Sequence, residues 1–300
     1  TALIAGKSMG RNQTVLFQED MRGLAVKTAR IAAQIKVGLS EEAFEPFYQP
    51  QIATPGTRLI GLEALARWKQ PDGTYAPASS FIDVANETGL ITEIDHVILR
   101  QSLDVLGVLA RQGILDPRVS VNLSSVQLRN EAIVERLLDE CLVRNVLASQ
   151  VTIEVLESTL LDERADTIGQ NINALSKAGF RIELDDFGTG HTALASLTRF
   201  PVHQIKVDRS LVEGIDNDQN KRAIAGGLYL VCKRLGIEAI AEGVETEAEL
   251  AALNDIGFTN FQGYYFARPM SEQQLVGWIT SRDMVAYSSG KVSSYRSLAK

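Results

Sequence analysis

The sequence predicts an α/β protein: a (β/α)8 TIM-like barrel with an antiparallel first strand. Three observations carry that prediction. Short apolar stretches recur eight times after Leu39, at Phe44–Ile52, Leu59–Leu65, Val119–Leu123, Val151–Leu156, Arg181–Asp186, Gln204–Asp208, Glu238–Glu242 and Phe261–Phe266. Helical stretches separate most of them, so the chain reads as βα units and a parallel sheet. Eight strands in about 240 residues fit one closed barrel. The third observation is a junction too short for a crossover. Between Gln51 and Leu59 lie a few residues that include the turn dipeptide Pro55-Gly56. A parallel connection needs roughly a dozen residues or more, so the first two strands form an antiparallel hairpin.

Taken in order, Thr1 to Phe17 reads as a helix end turning into a strand. Gly6-Lys7-Ser8 hints at a phosphate loop, but that motif needs a glycine five residues earlier, where Thr1 stands. Met21, Leu24, Ile31 and Ile35 then fall at three- and four-residue steps, with Thr28 filling the missing position. This predicts an amphipathic helix over 19–40, a linker or a dimerisation seam. Further along, Leu99, Leu103, Leu106 and Ala110 share a helical face. So do Val134, Leu137, Leu138, Cys141 and Leu142, and so do Ile224, Leu228, Val231 and Leu235. Gly113, Gly179, Gly236 and Gly257 stand where left-handed C-caps belong. The Ser-rich segment 283–300 reads as a tail.

Composition narrows the function classes. With 45% hydrophobic and 22% charged residues, the chain can bury a core and is neither disordered nor fibrous. Lys plus Arg number 30 against 37 Asp plus Glu, a net charge of -7. That balance excludes sequence-independent binding to a nucleic acid polymer or an acidic membrane, because counterion release needs a basic footprint. Cys141 and Cys232 sit at apolar helical positions and make neither a disulfide framework nor a zinc cage. No apolar run approaches about 18 residues. The expectation is a cytoplasmic protein without membrane contact through this fragment.

The chemistry is expected at the C-terminal ends of the barrel strands. Glu63 stands on the second strand, Asn122 on the third, and Glu154 with Glu157 at the fourth. Asp185 and Asp186 follow on the fifth, Lys206 and Asp208 on the sixth, Glu242 and Glu245 on the seventh, and Gln262 on the eighth. Like charges converging on one face repel unless a cation sits among them. Oxygen-rich and thiol-free, the set suits Mg2+ or Mn2+. The adjacent pair Asp185-Asp186 allows one carboxylate to bridge two ions about 3.5–4 Å apart, the geometry of in-line phosphoryl displacement. Asp186-Phe187-Gly188 also spells the kinase magnesium motif, but the companion glycine-rich lid and catalytic loop are absent. His96, His191 and His203 are not at metal-ligand spacing, and no nucleophile elbow accompanies them. His191 is a candidate for the pocket rim.

These motifs in this order resemble the EAL-domain cyclic di-GMP phosphodiesterases. The resemblance rests on Glu63-Ala64-Leu65-Ala66-Arg67-Trp68, Val121-Asn122-Leu123-Ser124, Glu154-Val155-Leu156-Glu157-Ser158 and Asp185-Asp186-Phe187-Gly188-Thr189-Gly190. It continues through Phe47-Tyr48-Gln49-Pro50, Ile205-Lys206-Val207-Asp208-Arg209-Ser210, Ala241-Glu242-Gly243-Val244-Glu245-Thr246 and Gln262-Gly263-Tyr264, and covers roughly 41–279 of an expected domain over 41–282. Residues 1–18 resemble the end of a GGDEF domain.

The resemblance implies hydrolysis of cyclic di-GMP, a bacterial second messenger, to linear 5′-pGpG with two Mg2+ or Mn2+ ions. Glu63, Asn122, Glu154 and Asp185 match the ligands of one ion. Asp185 would bridge to the other, with Asp186, Asp208 and Glu242 around it. Lys206 and Glu242 would hold the attacking water, Glu242 being the favoured base, and Glu157 would anchor the glycine loop. Arg67 would grip a phosphate, while Gln49, Leu65 and Gln262 line the substrate site. A homodimer is implied as well. Leu156 stands where Thr is usual, and His191-Thr192 where an aromatic and a small polar residue are common. Two other classes compete: a non-catalytic cyclic di-GMP receptor, which typically lacks several of these acids, and an enolase-type metal enzyme, against which the Asp185-Asp186 pair and the asparagine speak.

Overall fold

The computed structural model describes residues 19–54, 58–114, 116–161, 166–188 and 196–281. The segment 1–18 for which a GGDEF resemblance was expected, the Pro55-Gly56 dipeptide, residues 189–191 and the segment 283–300 lie outside them. Nine strands are found among the described residues: β1 (Phe44–Ala53), β2 (Arg58–Lys69), β3 (Tyr75–Pro77), β4 (Val119–Asn122), β5 (Val151–Leu156), β6 (Arg181–Phe187), β7 (Gln204–Val207), β8 (Glu238–Ala241) and β9 (Asn260–Phe261). The helices are α1 (Glu19–Ser40), α2 (Ile82–Thr88), α3 (Ile91–Arg111), α4 (Ser125–Leu128), α5 (Ile133–Val143), α6 (Asp166–Lys177), α7 (Ser196–Arg199), α8 (Arg209–Val212), α9 (Gln219–Leu235), α10 (Glu247–Ile256) and α11 (Glu272–Ser281).

Two compact units divide this chain, one made of residues 46–65 and everything from 95 onward, the other of residues up to 45 with 66–94. The larger unit is the barrel. Its strands follow the order β1-β9-β8-β7-β6-β5-β4-β2, and β1 pairs with β2 to close the ring. Every pairing from β2 through β4 to β9 is parallel, whereas β1 meets β9 antiparallel. The reversed first strand expected from the short β1–β2 junction is therefore present. The last strand is shorter than expected: it ends at Phe261, so Gln262 lies just beyond it.

Strand parity decides what each residue faces. Ile153, Ile182 and Ile205, all fully buried, occupy one face of β5, β6 and β7, and the polar residues of those strands occupy the other. The helices cover the outside with narrow apolar stripes. Leu99, Leu103 and Leu106 of α3 are buried, as are Ile133, Leu137 and Cys141 of α5 and Ile168, Ile172 and Leu175 of α6. Here two of the expected helical faces need correction. Leu138 and Leu142 are 39% and 79% exposed, and Ile224 and Leu235 are 51% and 43% exposed. In α9 the most deeply buried positions are Ala225 and Cys232 instead. A helix lying on a curved barrel buries a stripe narrower than its apolar arc, so sequence periodicity alone overstates the packed face. The four C-cap glycines hold as expected, with φ of 79° at Gly113, 100° at Gly179, 71° at Gly236 and 118° at Gly257.

In the smaller unit, Phe44 stacks on Trp68 at 5.4 Å, and Phe81 meets both rings edge-on at 5.4 and 5.8 Å. Gly38 is required there, since a Cβ would lie 2.6 Å from Trp68 Nε1. Strand β3, absent from the expected elements, pairs antiparallel with the end of β2 across Pro71-Asp72-Gly73. Gly73 has φ 83°, so this tripeptide was a hairpin signal readable in the sequence. No described helix is long and apolar enough to cross a membrane.

Candidate active site

Five barrel strands, β2, β5, β6, β7 and β8, bring polar residues at or just past their ends to one point. Glu63 of β2 and Lys206 of β7 have β4, β5 and β6 between them in the sheet, yet Lys206 Nζ donates to Glu63 Oε1 at 2.9 Å. That contact is made across the barrel interior. The same ammonium lies 2.9 Å from Asp185 Oδ1, 3.5 Å from Glu154 Oε1 and 3.6 Å from Glu242 Oε2. Lys206 is thus the common counter-ion of four acids from β2, β5, β6 and the end of β8. Asn122 Nδ2 donates to Glu154 Oε2 at 2.7 Å, which leaves the amide oxygen of Asn122 as its free ligating atom.

Burial sets the electrostatics. Glu154 is fully buried, which pushes its carboxyl well above the ordinary carboxylate range; Glu63 beside it adds repulsion and Lys206 opposes both. Burial also raises Glu242, to about 7, against the pull of Lys206. Burial alone would depress Lys206, but Glu154, Glu63, Asp185 and Glu242 outweigh it and hold the ammonium well above its usual range. Removing either sign from such a cluster is costly, because low dielectric strengthens the attraction and the penalty alike.

One carboxylate oxygen from each of Glu63, Glu154 and Asp185 lies within 4.8 Å of the others. Glu154 Oε1 is buried without a hydrogen-bond donor. An all-oxygen donor set with an unsatisfied buried acceptor fits a hard divalent cation. Around it, Gln262 Nε2 donates to Glu63 Oε2 and, at 3.2 Å, to Gln49 Oε1; Gln49 Nε2 in turn donates to Ala267 O at 3.1 Å. Gly263 lets the Val244 backbone pack against the Gln262 segment, since a Cβ there would lie 2.1 Å from the Val244 carbonyl oxygen, and Val244 N–H donates to Gln262 O at 3.1 Å.

A bulge separates the two adjacent aspartates. Leu184 pairs with Ile205 and Phe187 with Val207, so β6 has one residue more than β7 over this interval. Asp186 absorbs the extra residue at φ 55°, an uncommon conformation for a side-chain-bearing residue. Asp185 therefore turns to Lys206, while Asp186 is exposed. Just beyond, Gly188 at φ 104° donates its N–H to Glu157 Oε2 at 3.1 Å.

The expected residues thus fall into groups. Glu63, Glu154, Asp185, Glu242 and Lys206 converge, with Asn122, Gln49 and Gln262 adjoining them. Glu157 is buried and bound to the glycine loop. Asp208 caps α8, accepting from Ser210 N–H at 2.9 Å, and Leu65 is half-buried. Arg67 belongs to the smaller unit, where its Nη1 donates to Ala66 O at 2.9 Å. His203 accepts the Ile182 N–H at Nδ1, 3.0 Å, at the other end of the barrel, and His191 lies outside the described residues. Sequence reasoning missed Glu183 and Gln204, both buried on β6 and β7 and bonded to one another. Their shared parity with Asp185 and Lys206, two residues further along the same strands, was the available signal.

Residues 32–269 match the family model described as EAL domain. The bifunctional diguanylate cyclase/cyclic di-GMP phosphodiesterase MucR of Pseudomonas aeruginosa is 30% identical over 275 residues, covering 92% of this chain and 40% of that protein. The cyclic di-GMP phosphodiesterase PdeR of Escherichia coli is 32% identical over 282 residues, 93% of this chain and 42% of PdeR. This chain thus spans about two fifths of either relative. A solved structure titled as the PaMucR phosphodiesterase in complex with c-di-GMP superposes with a TM-score of 0.77 at 31% identity, covering 82% of this chain and 99% of that one.

Proposed function

The chain belongs to the EAL domain family, and on that premise we propose that it is a metal-dependent phosphodiesterase hydrolysing cyclic di-GMP to linear 5′-pGpG. The observation that carries this reading is the buried set Glu63, Glu154 and Asp185 gathered on Lys206. The full set of acids and the asparagine favours catalysis over a receptor that only binds the nucleotide.

Glu63, Asn122, Glu154 and Asp185 would hold one Mg2+ or Mn2+ ion. Asp185 would also reach a second, with Asp186, Asp208 and Glu242 about it. When bound, such ions supply Lewis-acid charge to the phosphodiester and lower the pKa of water nearby. Lys206 and Glu242, neighbours at 3.6 Å, would together hold the attacking water. Glu242 takes its proton, a role suited to a carboxyl poised near neutral pH. The water oxygen bonds to phosphorus, the P–O3′ bond breaks, and the ribose oxygen leaves as a hydroxyl with a proton from solvent. Gln49, Leu65 and Gln262 would line the substrate, and Arg67 would grip a phosphate.

Incubation of the chain with cyclic di-GMP and Mg2+, followed by product chromatography, should yield 5′-pGpG. Binding without hydrolysis, with metal supplied, would replace this reading with the receptor one. Light scattering on the same sample should report the homodimer that the resemblance and the 19–40 helix suggest; a monomer at working concentration would remove that part.

Glu157 would act through the glycine loop and not on substrate. Glu157→Ala is expected to lower kcat roughly 10- to 100-fold with metal affinity unchanged, as read by titration calorimetry. An unaltered kcat would end the anchoring role.

A further inference from the structure

We propose that Glu183, braced by Gln204, is a positioning residue for Glu154 and thereby sets how tightly the acidic cluster holds a divalent cation. The inference rests on the metal-binding reading above. Asn122, Glu154, Glu183 and Gln204 are register partners on the consecutive strands β4, β5, β6 and β7. Register partners in a parallel sheet point to the same face, so the four side chains form one polar row across the barrel interior.

The row is bonded from both ends. Asn122 Nδ2 donates to Glu154 Oε2 at 2.7 Å, and Gln204 Nε2 donates to Glu183 Oε2. In the middle Glu154 and Glu183 face each other as register partners on adjacent strands, each burying an Oε1 that no hydrogen-bond donor reaches. A glutamine at position 183 keeps the shape of the side chain and can donate an N–H across the row.

Glu183 has no other evident task. It is fully buried, two residues before Asp185 and hence one pleat repeat below the cluster, too deep to touch substrate. Lys206 directs its ion pairs to Glu63, Glu154, Asp185 and Glu242. An acid buried at this depth carries a desolvation cost, and the residue it faces on the neighbouring strand, Glu154, is the one acid of the cluster that is itself fully buried. Outer partners of this kind orient metal-ligating carboxylates, and their loss weakens metal binding about 10- to 100-fold.

The test is Mn2+ titration calorimetry on the whole chain and on Glu183→Ala, Glu183→Gln and Gln204→Ala, with thermal melts of each metal-free protein. Glu183→Ala is expected to weaken Mn2+ binding about 10- to 100-fold, Gln204→Ala less, and Glu183→Gln no more than about threefold. Affinity unchanged in Glu183→Ala would overturn the proposal, as would a Glu183→Gln variant that folds but binds as weakly as Glu183→Ala, since charge and not positioning would then be at work. Should Glu183→Ala fail to fold, the Glu183→Gln and Gln204→Ala pair decides: wild-type affinity in both overturns it. If the unmodified chain takes up no Mn2+, the metal reading itself fails, an outcome distinct from all of these.

Discussion

Asp185→Asn is expected to lower hydrolysis of cyclic di-GMP by about three orders of magnitude or more, some 4 kcal/mol of barrier. Asp185 is the acid that the β6 bulge turns inward, 2.9 Å from Lys206, and one of the three whose oxygens lie within 4.8 Å of each other. Asparagine keeps the shape and the local bond, in which Asp185 Oδ1 accepts the Asp186 N–H at 3.0 Å. What it removes is the charged carboxylate that would be needed to bridge two cations. The fold should survive, so the variant's melting temperature and circular dichroism should stay near those of the parent while product formation disappears. Retention of more than about a tenth of the turnover would show that Asp185 is not part of the metal-binding set.

Lys206→Met should be the most destabilising single change in the barrel when metal is absent. It removes the only cation paired with Glu63, Glu154, Asp185 and Glu242 among the described residues. Breaking a buried ion cluster from one side costs about 3–5 kcal/mol, because the remaining charges stay buried without compensation. For a barrel of this size that corresponds to a fall in Tm of roughly 10 °C. The deficit has a definite pH dependence. Burial raises the Glu154 and Glu242 carboxyls in the folded state, so the folded chain binds protons more tightly than the unfolded one. Stability from that source is present at low pH and lost as pH rises toward and beyond about 7, the value for Glu242. Without Lys206 the loss should be steeper, and millimolar Mn2+ should restore much of it by supplying the missing positive charge. Melts at pH 6 and pH 8, with and without Mn2+, measure this directly. A variant as stable as the parent in metal-free buffer at pH 8 would mean that Lys206 is not the cluster's counter-ion.

Much of the site was legible before any coordinates. Glu63, Asn122, Glu154, Asp185, Lys206, Glu242 and Gln262 each stand at or just past the end of an apolar run, and in a parallel barrel those ends share one face. The reversed β1 was legible as well, since chain length forbids a crossover between Gln51 and Leu59. The β3 hairpin was legible in principle through Pro71-Asp72-Gly73. The apolar faces of α5 and α9 were read too broadly, because periodicity gives the direction of a stripe and not the curvature of what it packs against.

Residue order alone, then, determined the barrel, its one antiparallel strand and the set of oxygen donors, since strand length, connection length and residue chemistry are local properties of the chain. Tertiary structure alone decided the rest. The inter-strand register placed Glu183 beside Glu154 and beneath the cluster, and an extra residue in β6 sent Asp185 inward and Asp186 out. Lys206 became the shared partner of four acids only because the ring closed and brought the Glu63 carboxylate of β2 within 2.9 Å of the Lys206 ammonium of β7. Register and closure depend on which strands meet and at what offset, and an offset of one residue reverses every side chain; that information is held by the packed whole and by no segment of it.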